Sequence, residues 1–209
     1  MRIILLGAPG SGKGTHAEKL SKHFFIENVS TGKIIRDIIE SKSELGKLVS
    51  DFVKNGELIS DNIVCKIINE KLKSDKCKNG YVLDGFPRTL QQARKLEEFE
   101  VKVDAAILIE VSESIIIERL TGRVQCKECG NVYNVKLNPP KVVGICDTCG
   151  KNLIIRDDDN VPAIQNRLRI YQLQVAPIVD FYKNKNLLKV VYGKNNIEGT
   201  FTDILNVLE

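Results

Sequence analysis

The chain has 209 residues, of which 43% are hydrophobic and 28% are charged. This length and composition predict one compact unit with its own hydrophobic core, and a second full domain would be a tight fit. The net charge of +4, from 31 basic and 27 acidic residues, is too balanced for a dedicated nucleic-acid or membrane-surface binder, although phosphate-sized ligands remain compatible with it.

The first predicted element is a short strand over residues 3–6, which runs directly into a Gly-Ala-Pro-Gly turn. This apolar run is too short for a signal peptide or a membrane span, so we expect a cytoplasmic protein without a membrane partner. Apolar residues at helical spacing follow over residues 14–23. The predicted order is therefore strand, glycine-rich loop and helix.

Three helical patterns come next. Ser30 or Thr31 can cap the first of them, and Ser60 or Asp61 can cap the third. The second extends over residues 44–55. The segment before the next strand is therefore predicted to be mainly helical.

Two near-continuous apolar runs, residues 80–84 and 105–109, are predicted as buried parallel strands. A helical pattern over residues 89–99 separates them, as a crossover connection requires. Residues 187–192 are predicted as a further strand, after a long amphipathic helix that starts at Pro162. The pattern as a whole indicates an α/β fold with a central parallel sheet flanked by helices.

An insert interrupts this pattern between residues 122 and 160, where Gly, Asn, Pro and Cys dominate. Cys126-x-x-Cys129 and Cys146-x-x-Cys149 lie in it, and a glycine follows each pair. Four thiolates at this spacing predict a closed structural metal site, for which zinc is the default and iron an alternative. Two disulfides are a further alternative, which a reducing cytosol disfavours. The acidic residues 157–159 are expected to form a solvated turn.

Residues 7–13, Gly-Ala-Pro-Gly-Ser-Gly-Lys, match the G-x-x-x-x-G-K phosphate loop. Glycines let backbone N–H groups close around phosphate oxygens, the helix N-terminus adds positive potential, and Lys13 can reach the terminal phosphates. An ordinary Gly-rich turn is the alternative, but a strand before the motif and a helix after it favour the phosphate loop. A generic loop of this kind continues with Ser or Thr, whereas this chain has Gly14.

Four segments together resemble the adenylate kinase family: Gly14-Thr15, Ser30-Thr31-Gly32, Asp-Gly-Phe-Pro-Arg at residues 84–88, and Gly122-Arg123. The resemblance covers essentially the whole chain and implies a P-loop nucleoside monophosphate kinase. It implies a core of residues 1–29, 60–121 and 161–209, a helical AMP-binding segment of residues 30–59, and a β-rich lid of residues 122–160 stapled by zinc. The implied activity is reversible, Mg²⁺-dependent phosphoryl transfer from ATP to AMP, giving two ADP. We also expect a monomer.

The resemblance also assigns roles to residues. Asp84 ends a predicted buried strand, so it would face the ligand crevice of an open α/β sheet, and it is expected to hold Mg²⁺ through water. Arginines at matched positions are expected to clamp phosphates in planar, bidentate pairs. The expected catalytic residues are Lys13, Asp84, Arg88, Arg123, Arg156 and Arg167.

Each nucleotide has its own expected set of residues. The Gln92 amide is expected to meet the adenine edge of AMP, with a plain exposed helix residue as the alternative. The expected ATP-binding residues are Gly10, Ser11, Gly12, Lys13, Gly14, Thr15, Arg119, Arg123, Val132, Tyr133 and Asn195. The expected AMP-binding residues are Thr31, Arg36, Glu57, Leu58, Ile59, Gly85, Phe86, Pro87, Arg88, Gln92, Arg156 and Arg167.

The sequence departs from the family pattern at three places, and other functions stay open. Lys33 stands where the family usually has an acidic residue, Val124 where it commonly has a second arginine, and Tyr192 where it has the Asp of an Asp-Gly turn. A noncatalytic nucleotide sensor is therefore one alternative. Another is a kinase for UMP or CMP, or one that uses GTP; the metal-bearing insert and Gln92 favour AMP. A zinc-ribbon nucleic-acid binder would need a strongly basic surface.

Overall fold

The computed structural model describes residues 1–99, 101–194 and 196–209. It is an α/β chain, as predicted. The strands and α-helices are, in chain order, β1 (Arg2–Gly7), α1 (Lys13–Phe24), β2 (Glu27–Ser30), α2 (Thr31–Glu40), α3 (Glu44–Lys54), α4 (Asp61–Leu72), β3 (Tyr81–Asp84), α5 (Leu90–Glu98), β4 (Ala105–Glu110), α6 (Glu113–Thr121), β5 (Arg123–Cys126), β6 (Val132–Asn134), β7 (Leu153–Ile154), α7 (Val161–Asn184), β8 (Leu188–Tyr192) and α8 (Ile197–Asn206). Two 3-10 turns occupy Asp75–Cys77 and Asp157–Asp159.

The central sheet is parallel and has the strand order β2-β3-β1-β4-β8. Successive side chains of a strand point to opposite faces, so helices on both sides require apolar residues at every position. In β1, Ile4 and Leu6 pack into the hydrophobic cluster on one face, while Ile3 and Leu5 pack into the cluster on the other. The continuous apolar run of the first strand is explained by this burial on both faces.

The edge formed by the carboxyl ends of the strands is where chemistry is expected. The chain runs to one side of β1 for β2 and β3 and to the other side for β4 and β8. Open α/β sheets bind ligands at the carboxyl edge beside such a reversal. Asp84, the last residue of β3, pairs in register with Leu5 of β1 and with Ser30 of β2. The strands that lead into the Ser30-Thr31-Gly32 segment and the segment of residues 84–88 therefore end side by side.

Helices α2 and α3 form the predicted helical segment after β2. Their close approach depends on Gly46, because a Cβ atom there would lie 2.3 Å from the carbonyl oxygen of Ile38. Ile35 of α2 and Val49 of α3 are buried, and both belong to the cluster that also contains Leu83 of β3. The segment is thus packed onto the core through its apolar face.

Helix α7 is the longest helix, with 24 residues. Its start is fixed by Asn160, whose Oδ1 accepts a hydrogen bond from the N–H of Ala163 at 3.0 Å, and by Pro162 in the first turn. Asn166 Nδ2 donates to the carbonyl oxygen of Asn55 at 2.9 Å and so connects α7 to the end of α3. Within the described ranges, neither α7 nor another helix combines the length and apolarity that a membrane span requires.

The insert has its own antiparallel sheet, with the order β6-β5-β7. The predicted β-rich insert is therefore confirmed. It contacts the rest of the molecule on two sides. Asn134 Nδ2 donates to the carbonyl oxygen of Arg119 at 3.0 Å, and Lys127 forms a 3.4 Å ion pair with Glu40 at the end of α2. The insert therefore reaches across to the helical segment.

Some local features differ from the sequence prediction. Strand β2 was not predicted, because only Val29 of its four residues is buried and the strand carries no apolar run. Helices α6 and α8 were not predicted either. Ser30 and Ser60 precede helices as expected, but neither side chain makes a capping hydrogen bond. Ser30 Oγ instead donates to Asp84 Oδ2 at 3.1 Å. The Ser30 hydroxyl therefore binds Asp84 at the carboxyl edge of the sheet and does not cap α2.

Candidate functional site

A cleft of about 920 Å³ opens at the carboxyl edge of the sheet. Phe86 does not line it, because its side chain is fully buried in the core; this residue departs from the expected AMP set. Asn195 lies outside the described residues. The predicted residues that line the cleft are Gly10, Ser11, Gly12, Lys13, Gly14, Thr15, Thr31, Arg36, Glu57, Leu58, Ile59, Asp84, Gly85, Pro87, Arg88, Gln92, Arg119, Arg123, Val132, Tyr133, Arg156 and Arg167.

The phosphate loop, residues 7–13, connects β1 to α1 along the floor of this cleft. Gly10 and Gly12 have φ angles of 81° and 99°, which residues with a side chain rarely adopt. A Cβ atom at Gly10 would also lie 2.9 Å from Leu120 Cγ. Helix α1 begins directly after Gly12. The loop therefore presents backbone N–H groups and a helix N-terminus to the same space, which is the arrangement that binds phosphate.

The side chain of Lys13 folds back to the start of the phosphate loop. Its Nζ donates to the carbonyl oxygens of Gly7 and Ala8 at 2.7 and 2.8 Å. Burial lowers the pKa of Lys13 to about 8, and the nearby Asp84 carboxylate opposes that shift only in part. A phosphate group next to the ammonium would supply the missing negative charge and raise the pKa again. Lys13 is thus positioned to bind a phosphate, because Asp84 only partly compensates the charge of its ammonium group.

Asp84 lies against the start of α1. A Cβ atom at Gly14 would lie 3.4 Å from Asp84 Oδ2, and the same oxygen accepts the hydrogen bond from Ser30. The carboxylate therefore lies in contact distance of the first turn of α1, where Gly14 stands in place of the usual Ser or Thr. A carboxylate and a hydroxyl beside a phosphate-binding loop are oxygen ligands that fit Mg²⁺, which keeps much of its water shell.

The acidic turn of the insert is an unexpected part of the site. Arg123 Nε donates to Asp159 Oδ2 at 2.7 Å, and its Nη2 contacts the other carboxylate oxygen. Arg167 Nη1 contacts Asp158 Oδ2 at 2.9 Å and Asp159 Oδ1 at 3.3 Å. Burial alone would raise the pKa of Asp158, but Arg167 and Arg123 hold it below its usual value. The solvated turn expected for residues 157–159 is wrong for Asp158 and Asp159, because arginines of the cleft bind both.

Three more arginines bring excess positive charge to the cleft. Burial, followed by repulsion from Arg123 and Arg36, lowers the pKa of Arg156. Burial also lowers the pKa of Arg36 and Arg88. Arg88 Nε donates to the carbonyl oxygen of Gly85 at 2.8 Å, which directs its side chain. Burial removes water from these guanidinium groups, and bound phosphates would compensate for that loss.

The expected AMP side contains a buried polar network around Gln92. Its Oε1 accepts from the N–H of Arg88 and its Nε2 donates to Asp61 Oδ1, both at 2.7 Å. The side chain is buried, which excludes the exposed-helix alternative. One N–H and one lone pair of the amide remain free for a ligand. Thr31 Oγ1 is buried with no hydrogen-bond partner among the described residues, as expected of a group that awaits a ligand.

The expected ATP side is formed by the end of α6 and by the insert. Arg119 Nη2 donates to the carbonyl oxygen of Lys194 at 3.0 Å, and its Nη1 lies 3.4 Å from that of Ser11. Tyr133 lines the cleft but directs its hydroxyl away from it, 3.5 Å from Cys146 Sγ and 3.0 Å from the N–H of Asp147. The same residue therefore belongs to the wall of the cleft and to the surroundings of the cysteines.

The four cysteines of the insert meet as the spacing predicts. Their sulfur atoms all lie within 4.8 Å of one another. Two of these distances, 3.4 Å for Cys126–Cys149 and 3.5 Å for Cys129–Cys146, join one C-x-x-C pair to the other and far exceed a disulfide bond. Four free thiols at this spacing fit a tetrahedral metal with bonds of about 2.3 Å, the length typical of zinc and thiolate.

Two turns of the same geometry hold these sulfurs; we name residues 126–130 the first knuckle and residues 146–150 the second knuckle. The N–H of Gly130 bonds the carbonyl oxygen of Cys126 at 3.0 Å, and the N–H of Gly150 bonds that of Cys146 at 2.9 Å. Both glycines have positive φ angles, of 78° and 71°. The glycine after each cysteine pair is therefore required by the turn.

Comparison with known proteins agrees with this geometry. The sequence model of adenylate kinase matches residues 5–187. The chain belongs to the adenylate kinase family. Adenylate kinases from Caldicellulosiruptor bescii and Carboxydothermus hydrogenoformans are 45% and 43% identical to it, and each alignment covers the whole chain and 99% or 100% of the relative. One from Clostridium novyi is 43% identical, with 99% of its length covered.

Membership of the adenylate kinase family confirms the resemblance carried by the sequence motifs. Sequence reasoning missed three residues of the site, namely Asp158, Asp159 and Gln125, whose amide bonds both Arg156 and the first knuckle. Electroneutrality could have indicated the two acids, because a set of buried arginines needs counterions when phosphate is absent. Gln125 gives no comparable signal, since one polar residue in a predicted insert suggests a solvent contact.

Proposed function

We propose that the protein transfers a phosphoryl group from Mg²⁺-bound ATP to AMP, reversibly, giving two ADP. One observation carries this proposal: six arginines from separate parts of the chain line one cleft together with the phosphate loop. They are Arg36, Arg88, Arg119, Arg123, Arg156 and Arg167. A cleft that binds one nucleotide needs fewer cations, whereas transfer between two nucleotides gathers the phosphates of both at its centre.

ATP is proposed to bind with its phosphates in the phosphate loop. The backbone of residues 10–15 and Lys13 would hold the phosphates, and Arg119, Val132 and Tyr133 would line the nucleoside end. Asp84 would hold Mg²⁺ through water, and the bound ion would neutralise charge on the phosphate oxygens. The supporting geometry is the direct approach of Asp84 to Gly14 beside Lys13.

AMP is proposed to bind on the opposite side of the cleft. Thr31, Gln92, the backbone around Gly85 and the wall of residues 57–59 would hold the nucleoside, while Arg36 and Arg88 would hold its phosphate. The remaining arginines would surround the group in transit. A loose transition state needs alignment and charge neutralisation, so no general base is required.

The insert is proposed to be a lid that excludes water, with the core and the AMP-binding segment bounded as given above. Arg123 and Arg156 lie at the two ends of this lid, so its closure would bring both to the phosphates. Zinc is the metal proposed for the four thiols, with a structural role, because four protein ligands leave no position for substrate.

The partners proposed are ATP, ADP and AMP, with no nucleic acid and no membrane, in a cytoplasmic monomer. Four thiols kept close together without disulfides suit a reducing compartment. The balanced charge gives no support to a nucleic-acid surface.

The test is a coupled assay of purified protein with MgATP and AMP, CMP, UMP or GMP in turn, repeated with GTP as donor. We expect fast ADP formation with AMP and about one zinc per chain, as a closed four-thiolate site implies. If the protein prefers another monophosphate, that monophosphate takes the place of AMP as the proposed acceptor. Nucleotide binding without turnover would favour the sensor and would direct attention to Lys33 and Val124.

A further inference from the structure

Gln125 connects the metal-binding region to the arginine cluster through the two ends of one side chain. Its Nε2 donates to the carbonyl oxygen of Gly130 at 3.0 Å. Its Oε1 accepts from Nε of Arg156. Gly130 closes the first knuckle, and Arg156, 31 residues along the chain from Gln125, follows the neighbouring strand β7 and lines the cleft.

The chemistry of the two partners requires an amide at this position. A guanidinium group can only donate hydrogen bonds, and a carbonyl oxygen can only accept them. The connecting side chain must therefore carry one acceptor and one donor at a fixed separation. A glutamate would leave the Gly130 carbonyl unbonded, and a hydrocarbon side chain would satisfy neither partner. This requirement also fixes which end of the Gln125 amide carries the nitrogen.

Each end of the contact has a defined position. The first knuckle fixes the position of the Gly130 carbonyl. The N–H of Gly130 donates to the carbonyl oxygen of Cys126, and both cysteines of this turn belong to the four-cysteine cluster. At the other end, the bond to Gln125 is the single side-chain hydrogen bond of Arg156 within the described ranges. Two neighbouring guanidinium groups repel Arg156 and two carboxylates attract it, but none of them hydrogen-bonds its side chain, so the direction of that side chain depends on the contact with Gln125.

We propose that Gln125 is a positioning residue, which orients Arg156 toward the group in transit and couples that orientation to the metal-held first knuckle. The inference rests on the proposed function, because it takes Arg156 to be a phosphate ligand. Coupling between two sites is reciprocal. Phosphates that hold Arg156 therefore also hold the knuckle, and nucleotide binding slows the loss of metal.

The experiment uses the metal-loaded enzyme and a bisubstrate analogue, two adenosines joined by five phosphates. Two quantities are measured: the dissociation constant of the analogue by calorimetry, and the rate of metal transfer to a chromogenic chelator with and without saturating analogue. The test variant is Gln125→Met, which keeps the length of the side chain and the backbone pairing of β5. The control is Thr148→Val, which removes the hydrogen bond that Asn131 Nδ2 donates to the second knuckle and involves no arginine.

In the wild type we expect the analogue to slow metal transfer about fivefold or more, the lower end of ordinary coupling between sites. In Gln125→Met we expect the analogue to bind about tenfold more weakly, the loss typical of a hydrogen bond to a charged group, and saturating analogue to give no protection. In Thr148→Val we expect faster metal transfer overall, with the protection ratio and the analogue affinity of the wild type.

Four outcomes separate the possibilities. An unprotected wild type, or a Gln125→Met variant with the wild-type protection ratio, would overturn the coupling. Equal loss of protection in both variants would mean that lid stability, and not this contact, connects the sites. If the analogue fails to bind the wild type at all, the proposed function fails first, and the coupling fails with it.

Discussion

Arg123 and Asp159 form a two-point ion pair from which solvent is excluded: the carboxylate side chain has 0% exposed surface and the guanidinium side chain 13%. Breaking a buried pair costs more than the pair contributes, because it leaves one charge unpaired. Asp159 therefore acts as the counterion that Arg123 has when no phosphate is bound.

Asp159→Asn should lower the free energy of unfolding of the ligand-free protein by about 3 kcal/mol or more. Denaturant unfolding measures this loss. The saturating bisubstrate analogue should narrow the gap to the wild type, because its phosphates give Arg123 a new counterion. Asp157→Asn is the matched control, since Asp157 is exposed. Equal losses in the two variants would contradict the role given to Asp159.

The pKa of Lys13 makes nucleotide binding pH-dependent. On folding the pKa falls to about 8 from 10.5, so the unfolded chain binds more protons between these values and stability rises with pH across that window. A bound phosphate raises the pKa again. ATP binding at about pH 8.5 should therefore take up roughly 0.7 proton.

Calorimetry in two buffers with different protonation enthalpies measures this uptake. Lys13→Met should abolish it along with turnover. Lys66→Met, on the exposed side of α4, should keep both. The same proton uptake in Lys13→Met and the wild type would assign the proton to another group.

Loss of one metal ligand should separate heat resistance from catalysis. Cys129→Ser should reduce the bound metal to well below one atom per chain and lower the thermal midpoint, while turnover at low temperature falls much less, because a closed site takes no direct part in chemistry and affects it only through the contact of Gln125 with Arg156. Metal analysis, calorimetry and the coupled assay on one sample check this. Cys65→Ser is the control, because it changes a buried cysteine outside the four-cysteine cluster, and this variant should retain the bound metal. A parallel fall of turnover and thermal midpoint in Cys129→Ser would give the metal a part in activity.

His16 should contribute to acid sensitivity. Its Nδ1 is buried without a hydrogen-bond partner among the described residues, and burial, helped by Lys19 and Arg119, lowers its pKa to about 4 from 6.5. The unfolded chain therefore binds the proton first as pH falls, and stability is lost between about pH 6.5 and 4. Between pH 7 and pH 5 this amounts to about 2 kcal/mol.

Substitution of His16 should remove that part of the pH dependence. Denaturant unfolding at both pH values should show a smaller loss in His16→Leu than in the wild type. His23→Leu, at an exposed position of the same helix, should leave the wild-type dependence in place. An unchanged dependence in His16→Leu would mean that carboxylates alone control acid stability.

The sequence predicted the parts of the molecule that depend on short spacing. Strand, phosphate loop and α1 follow one another within a few residues, and each cysteine pair sits on one turn, so local patterns were sufficient. The acidic turn was misjudged because Asp159 meets Arg123 across 36 residues of chain. Ser30 was expected to cap α2, but a carboxylate 54 residues away binds its hydroxyl. Contacts of this kind depend on the folded arrangement, which periodicity does not describe.

The three strands of the insert form a sheet of their own, and its four cysteines lie together within it. The phosphate loop, in contrast, follows a strand of the parallel sheet. Substitutions in the knuckles can therefore change the stability of the insert without altering the packing around β1. The stability of the insert and the packing of the core can then be changed through different residues, and only side chains that reach the cleft, such as Gln125, connect the two.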